Sequence, residues 1–309
     1  MFLGKIITLV KCVSKQKDGA MFSRFLRNIL SSSLQQLNAA PMDYRVKHRR
    51  ESWRAVRDYN SEVINLSDRA GGAALIDFLQ DMDLSGKVVA DLGCGPGHFL
   101  PALKAASKIY AVDWAENLLQ QARNRGPGQT TYVNADMRQL QLPEPLDLVL
   151  CINSLMPESH EDALAILKNM LSLLKPDGLL LLVVPAWESF MLGYNLVHFA
   201  AAAQGQEQES ERAILARFRD YFNNPFGYIR YTDETYRHWL HDEMLLIPAL
   251  HFGAEVLNVF RLAIRWSDVL PNIAFADVTP PPWLWGAVIQ NKIGAARTDT
   301  SLRESKATT

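Results

Sequence analysis

Cysteine is scarce in this 309-residue chain, and Cys12, Cys94 and Cys151 have neither paired nor metal-ligand spacing. A disulfide framework and a zinc site are therefore not expected, and no metal is. Lys5 and Lys11 bracket the best apolar run of the first 41 residues, which is too short to cross a membrane. A P-loop, a G-x-S-x-G elbow, an H-E-x-x-H helix and internal repeats are all missing, which removes the commonest triphosphatase, hydrolase and zinc-protease chemistries. Neither sign of charge is in excess overall, with a net charge of −1. At 48% hydrophobic and 21% charged residues, the composition fits one elaborated globular domain.

The balance hides an uneven distribution. Residues 1–57 carry 12 Lys/Arg against Asp18, Asp43 and Glu51, while the remainder carries 20 against 30 acids. Residues 1–42 read as a basic amphipathic extension, and the acid-free Met21–Pro41 segment resembles an organellar transit peptide. Cytoplasmic placement is the simple expectation, with an organellar matrix as the alternative. The run Arg45-Val46-Lys47-His48-Arg49-Arg50 is one short block, which reads as a solvated helix start rather than an extended nucleic-acid face.

What is present is a strand that ends in acid and turns through glycine: Val88-Val89-Ala90-Asp91-Leu92-Gly93-Cys94-Gly95-Pro96-Gly97-His98-Phe99. Closely spaced glycines let backbone approach a ligand and accept left-handed dihedrals. A dinucleotide fingerprint, G-x-G-x-x-G, counted from Gly93 would require glycine at position 98, where His98 stands. The spacing found is G-x-G-x-G. A second apolar strand, Lys108 to Val112, ends at Asp113, with Trp114 next. A third segment, Tyr132-Val133-Asn134-Ala135-Asp136-Met137, ends in acid again.

These three anchors, in this order, resemble the class I S-adenosylmethionine-dependent methyltransferases. The resemblance implies S-adenosyl-L-methionine as cofactor, with Asp91, Gly93, Cys94, Gly95 and Gly97 passing under its methionine portion. It further implies that Asp113 receives the ribose hydroxyls, that Trp114 lies on the adenine face, that Asp136 receives the adenine amino group and that Met137 covers the ring. Asn153, in Leu146-Asp147-Leu148-Val149-Leu150-Cys151-Ile152-Asn153-Ser154-Leu155-Met156, stands at the mouth where methyl transfer would occur. The Asn/Asp-Pro-Pro-Tyr/Phe motif of amine-methylating relatives is missing there. Cys151, inside an apolar strand, reads as a buried small hydrophobe rather than a nucleophile. Tyr59, on a helix from Trp53 to Leu66, is the expected cofactor cover, with core packing as its ordinary alternative.

The resemblance also implies the fold: an α/β, doubly wound, mostly parallel seven-stranded sheet with an antiparallel closing strand and a helical lid insertion. The methyltransferase domain is expected over residues 43–293, with the lid at about 186–231 and a polar, disordered tail over 294–309. Helices are expected around Leu100–Ala106, over Glu116–Arg125, from a Ser159 cap to Lys175, and from Thr232 towards Met244. A Lys175-Pro176-Asp177-Gly178 turn should precede an apolar central strand, with further strands over Glu255–Ile264 and Pro282–Gln290.

The lid segment holds ten aromatics in 46 positions, against 9% in the whole chain. Such enrichment points to an enclosed apolar pocket for a small-molecule acceptor offering an O, N or C nucleophile. DNA is not an expected partner. An RNA or protein substrate remains the alternative reading, as does a non-catalytic assembly factor of the same fold. His160, Glu188 and His198 are the candidate bases, needed only where the acceptor must lose a proton.

Overall fold

The computed structural model describes residues 70–157, 159–202, 205, 208, 211–212, 227–231, 234–265 and 280–292. Tyr59, the N-terminal extension, the basic block, much of the lid and the tail lie outside the described residues.

Seven strands form one sheet in the order β3-β2-β1-β4-β5-β9-β8. They are β1 (Val88–Leu92), β2 (Lys108–Asp113), β3 (Thr130–Asn134), β4 (Leu146–Ile152), β5 (Leu174–Pro185), β8 (Glu255–Ala263) and β9 (Trp283–Gln290). The pairings from β3 through β5 are parallel, and β9 alone runs antiparallel between β5 and β8. This is the expected mostly parallel sheet with one antiparallel closing strand.

The apolar runs are continuous because the central strands are covered on both faces. Ala90 and Leu92 of β1 point into one core with Leu167, Met170 and Leu171 of α3 (His160–Ser172). Val89 points into the other core, with Leu75 and Leu79 of α1 (Ala70–Gln80) and Leu119 of α2 (Glu116–Arg123). Edge strand β3 is only half covered. Strand order reverses at β1, which pairs with β2 on one side and β4 on the other. In open parallel sheets the crevice beyond the strand ends at that switch is where ligands bind.

Four local expectations change. The segment after the glycine turn is a single 3-10 turn, Leu100–Leu103, because β2 already begins at Lys108. The Lys175–Gly178 turn bulges out of β5 instead of preceding it. Leu146 pairs with Leu174 and Leu148 with Leu179, while Asp177 adopts φ 61° and donates its N–H to Asn291 O at 2.9 Å.

The expected helix start at Thr232 lies outside the described residues, and Glu234–Arg237, expected in that helix, form strand β7, paired antiparallel with β6 (Tyr228–Tyr231). Acids after a threonine mimic a helix first turn, but the flanking aromatic and β-branched residues suit paired strands. The helix there, α5 (His241–Leu246), starts later, with Glu243 accepting the Leu240 N–H at 3.0 Å. Of the segment expected as a lid, Trp187–Ala202 form helix α4 and Tyr228–Tyr231 form β6. No described helix is long and apolar enough to cross a membrane.

Candidate functional site

The turn after β1 is held by its own backbone. Gly93 N–H and Cys94 N–H both donate to Val112 O, at 2.8 and 3.0 Å, and Gly97 N–H donates to Cys94 O at 2.9 Å. Gly95 N–H donates to Asp113 Oδ2 at 2.9 Å. Pro96 has no N–H to offer. The amides that would cradle a phosphate are thus engaged internally, and the 3-10 turn that follows is too short to supply a helix dipole. A pyrophosphate-bearing dinucleotide does not suit this turn.

Glycine is needed at Gly93 and Gly97 for a reason other than ligand approach. Both have positive φ, 75° and 81°. A Cβ on Gly93 would overlap the Ser154 side chain, and one on Gly97 would lie 2.8 Å from Leu100 Cδ1 and 2.9 Å from Ala122 Cβ. Protein packs against the turn from both sides. Met137 also reaches it, with Cε 3.7 Å from the Gly93 Cβ position.

Two buried carboxylates meet at this turn, in very different surroundings. Asp113 Oδ1 accepts the Ala115 N–H at 2.9 Å and Oδ2 accepts that of Gly95, leaving lone pairs on both oxygens for further donors. Asp113 is therefore no N-cap for α2, whose cap is Ala115. Asp91 is 2% exposed, and its Oδ2 is fully buried with no hydrogen-bond partner among the described residues. Burial, reinforced by the charge of Asp113, raises its carboxyl to about 7. Burial also raises Asp113, against the opposing backbone donors of Ala115, Gly95 and Trp114.

A buried carboxylate without a donor fits a cationic group brought by a ligand, and one with spare lone pairs fits hydroxyl donors. The ammonium and ribose of S-adenosylmethionine match that donor set, as does the absence of a phosphate. Cys94 is buried in the turn and its thiol is pushed well up by burial. Cys151, fully buried in β4, is pushed up to about 12 by burial, so neither thiol serves as a nucleophile.

Trp114 lies half-buried just beyond Asp113. Asp136 is not a free acceptor: Arg138 forks onto it, with Nη2 to Oδ2 at 2.6 Å and Nε to Oδ1 at 3.1 Å. Arg138 Nη1 also donates to Asp162 Oδ1 at 3.0 Å, tying the loop after β3 to the first turn of α3. Asn153 sits at the end of β4 with φ 52°, a left-handed conformation that asparagine tolerates better than most residues.

The candidate bases stand in places that limit them. His160 opens α3, and its Nδ1 lies 3.1 Å from Arg237 Nη1. Arginine only donates, so Nδ1 accepts and the ring proton resides on Nε2. Burial, then the charges of Arg237 and His251, hold His160 below its ordinary value. Glu188 accepts from the His241 N–H at 2.8 Å and from Trp285 Nε1 at 2.7 Å, so each oxygen already has a donor. His198 is half-buried on α4.

Ser154, Arg138 and Arg237 were not picked out by sequence. Ser154 Oγ donates to Leu92 O at 2.9 Å, latching the loop after β4 onto the glycine turn. Arg237 is fully buried: Nη2 donates to Glu243 Oε1 at 2.8 Å and the guanidinium stacks 3.7 Å from the Trp239 ring. Trp239 in turn donates Nε1 to Leu155 O at 3.3 Å. A polar side chain two residues before a tryptophan gave no sequence signal for this network.

Comparison with known proteins agrees with this geometry. Residues 89–178 match the family described as a methyltransferase domain. The trans-aconitate 2-methyltransferase of Escherichia coli strain E24377A is 35% identical over 104 residues, 32% of this chain. The match spans 39% of that relative's length. Among solved structures, a putative methyltransferase of Haloferax volcanii, in complex with the Trm112 methyltransferase activator, has a TM-score of 0.52 at 19% identity, covering 80% of this chain and 99% of that one. The N-methyltransferase NodS of Bradyrhizobium japonicum WM9, in complex with S-adenosyl-l-homocysteine, gives 0.50 at 14% identity, covering 79% and 96%. These two likenesses bear on the fold. Residues 89–178 thus resemble a methyltransferase domain, set in a sheet that shares its fold with these two solved methyltransferases.

Proposed function

We propose that the protein is an S-adenosylmethionine-dependent methyltransferase acting on a small-molecule acceptor. The observation that carries the cofactor assignment is the unpartnered, buried Asp91 carboxylate beside a glycine turn whose amides are already engaged. When bound, the cofactor supplies a methyl group activated by its sulfonium. In this reading Asp91 receives the ammonium, Asp113 the ribose hydroxyls, and Trp114 and Met137 flank the adenine. Asn153 and Ser154 border the mouth at the end of β4. The chain's own contribution is alignment, for which positioning alone offers roughly 7–11 kcal/mol.

The surroundings of two candidate bases support an acceptor class. His160 presents a proton rather than a lone pair at Nε2, and the Glu188 carboxylate is held in place by the His241 N–H and Trp285 Nε1. Such a site suits an acceptor that arrives as a nucleophile without proton removal, and a carboxylate is one. The trans-aconitate methyltransferases, which match over part of their length, are named for a small organic acid.

The test has two parts. Calorimetry should show S-adenosylhomocysteine binding and no NAD binding; the reverse result ends this reading. Incubation of the protein with methyl-labelled cofactor and a fractionated metabolite extract should label a small acid. Gly95→Arg should abolish that labelling. Label appearing in RNA or protein instead would favour a macromolecular acceptor.

A further inference from the structure

We propose that Asp91 carries a proton in the ligand-free protein and that the cofactor's ammonium displaces it, so that cofactor binding is coupled to proton release. The inference rests on the cofactor reading above and concerns how that site is controlled.

The geometry separates two adjacent carboxylates. Asp113 accepts backbone N–H donors on both of its oxygens, which favours its ionised form. Asp91 has none: its Oδ2 is sealed from solvent and unpartnered. Two carboxylates in one site do not both ionise cheaply, and the one lacking donors takes the proton.

The remaining groups around Asp91 offer it no countercharge. Cys94 faces it from the turn and Cys151 from β4, each sensing the Asp91 charge. Burial keeps both thiols protonated, so Asp113 of β2 is the one charge felt by Asp91 among the described residues. The titration of Asp91 near neutrality agrees with this assignment.

A ligand bringing an ammonium supplies the missing countercharge. The proton on Asp91 passes to buffer, and the carboxylate pairs with the cation; no other bond changes. Below neutrality the protein must release that proton before it binds, so affinity rises with pH. Above neutrality the carboxylate is already ionised and the dependence levels off.

Titration calorimetry of the full-length protein with S-adenosylhomocysteine tests this, in paired buffers of different ionisation enthalpy. Between about pH 5.5 and about pH 7 the affinity should rise roughly tenfold, with about one proton released per ligand at the lower pH. Asp91→Asn should bind more weakly at neutral pH, with no proton release and a flat pH profile.

An infrared difference spectrum of the wild-type protein on ligand addition needs no variant. It should lose a protonated-carboxyl band and gain a carboxylate band. Ligand binding that is independent of pH, without proton release, would overturn the inference and leave the methyltransferase reading standing. Proton release that persists in Asp91→Asn would move the proton to Asp113 and overturn it equally. No binding at any pH would overturn both.

Discussion

At the scale of single residues, the site is governed by what each side chain lacks as much as by what it holds. Asp91 is a carboxylate buried without a donor, and its folded-state value of about 7 lies above the ordinary 3.8. A raised value means the folded state binds this proton more tightly than the unfolded one. Its contribution is complete below about 4 and is lost as pH rises to about 7. Asp91→Asn should therefore raise the thermal midpoint of the ligand-free protein at about pH 8 and change it little at about pH 4. The ceiling is roughly 4 kcal/mol, from about three pKa units. Calorimetric scans at both pH values check it, and an equal effect at the two would refute it.

His160 carries a second prediction at this scale. Proton-coupled nitrogen NMR should show its Nε2–H tautomer, with titration below the ordinary histidine range. In Arg237→Gln that titration should move back up as the arginine charge is removed. An Nδ1–H tautomer in the wild-type protein would contradict the arrangement.

At the scale of elements, loops that look independent in sequence are latched together. Ser154 of the β4 loop fills the space a Gly93 side chain would need and bonds to Leu92 O. Gly93→Ala should cost on the order of 2–3 kcal/mol, from overlap together with a left-handed backbone. Adding Ser154→Gly should recover part of that loss in denaturant unfolding; strict additivity would mean the two positions do not share the space.

The buried Arg237–Glu243 pair joins β7 to α5. Arg237→Met leaves Glu243 uncompensated and should destabilise by about 3–5 kcal/mol, whereas Arg237→Met with Glu243→Leu should lose much less. A double variant as unstable as the single one would rule out an electrostatic origin. These links explain why element types were legible while some boundaries were not. Strands β1, β2, β4 and β9 announced themselves as apolar runs, and the Ser159 cap was written locally, with Oγ accepting the Asp162 N–H at 3.0 Å. The β6–β7 hairpin was not, because a threonine followed by acids satisfies a helix start as well as a strand turn.

At the scale of the whole molecule, the described sheet supplies one frame, with its switch point under the glycine turn and the proposed acceptor-side residues on later elements. Ligand that binds only the folded form should stabilise that frame. S-adenosylhomocysteine at about a hundredfold over its dissociation constant should add about 2.7 kcal/mol, visible as a rise in thermal midpoint. Gly95→Arg should abolish the rise. A rise of the same size in that variant would place the ligand elsewhere.

The proposed cofactor side of this molecule was written in short sequence motifs. Asp91, the G-x-G-x-G turn and Asp113 are each a strand end or a turn marked by its own residues, so spacing alone distinguished the turn from a dinucleotide fingerprint. Tertiary structure decided the rest, because the deciding contacts are distant in sequence. Arg237 meets His160 across 77 positions, Glu188 meets Trp285 across 97, and Ser154 meets Leu92 across 62. Local pattern could nominate His160 and Glu188 as bases; only packing set Arg237 against the His160 Nδ1 and fixed Glu188 between His241 and Trp285. The same packing left Asp91 Oδ2 buried without a donor among the described residues, because strand ends that converge at a switch point bury the side chains they carry.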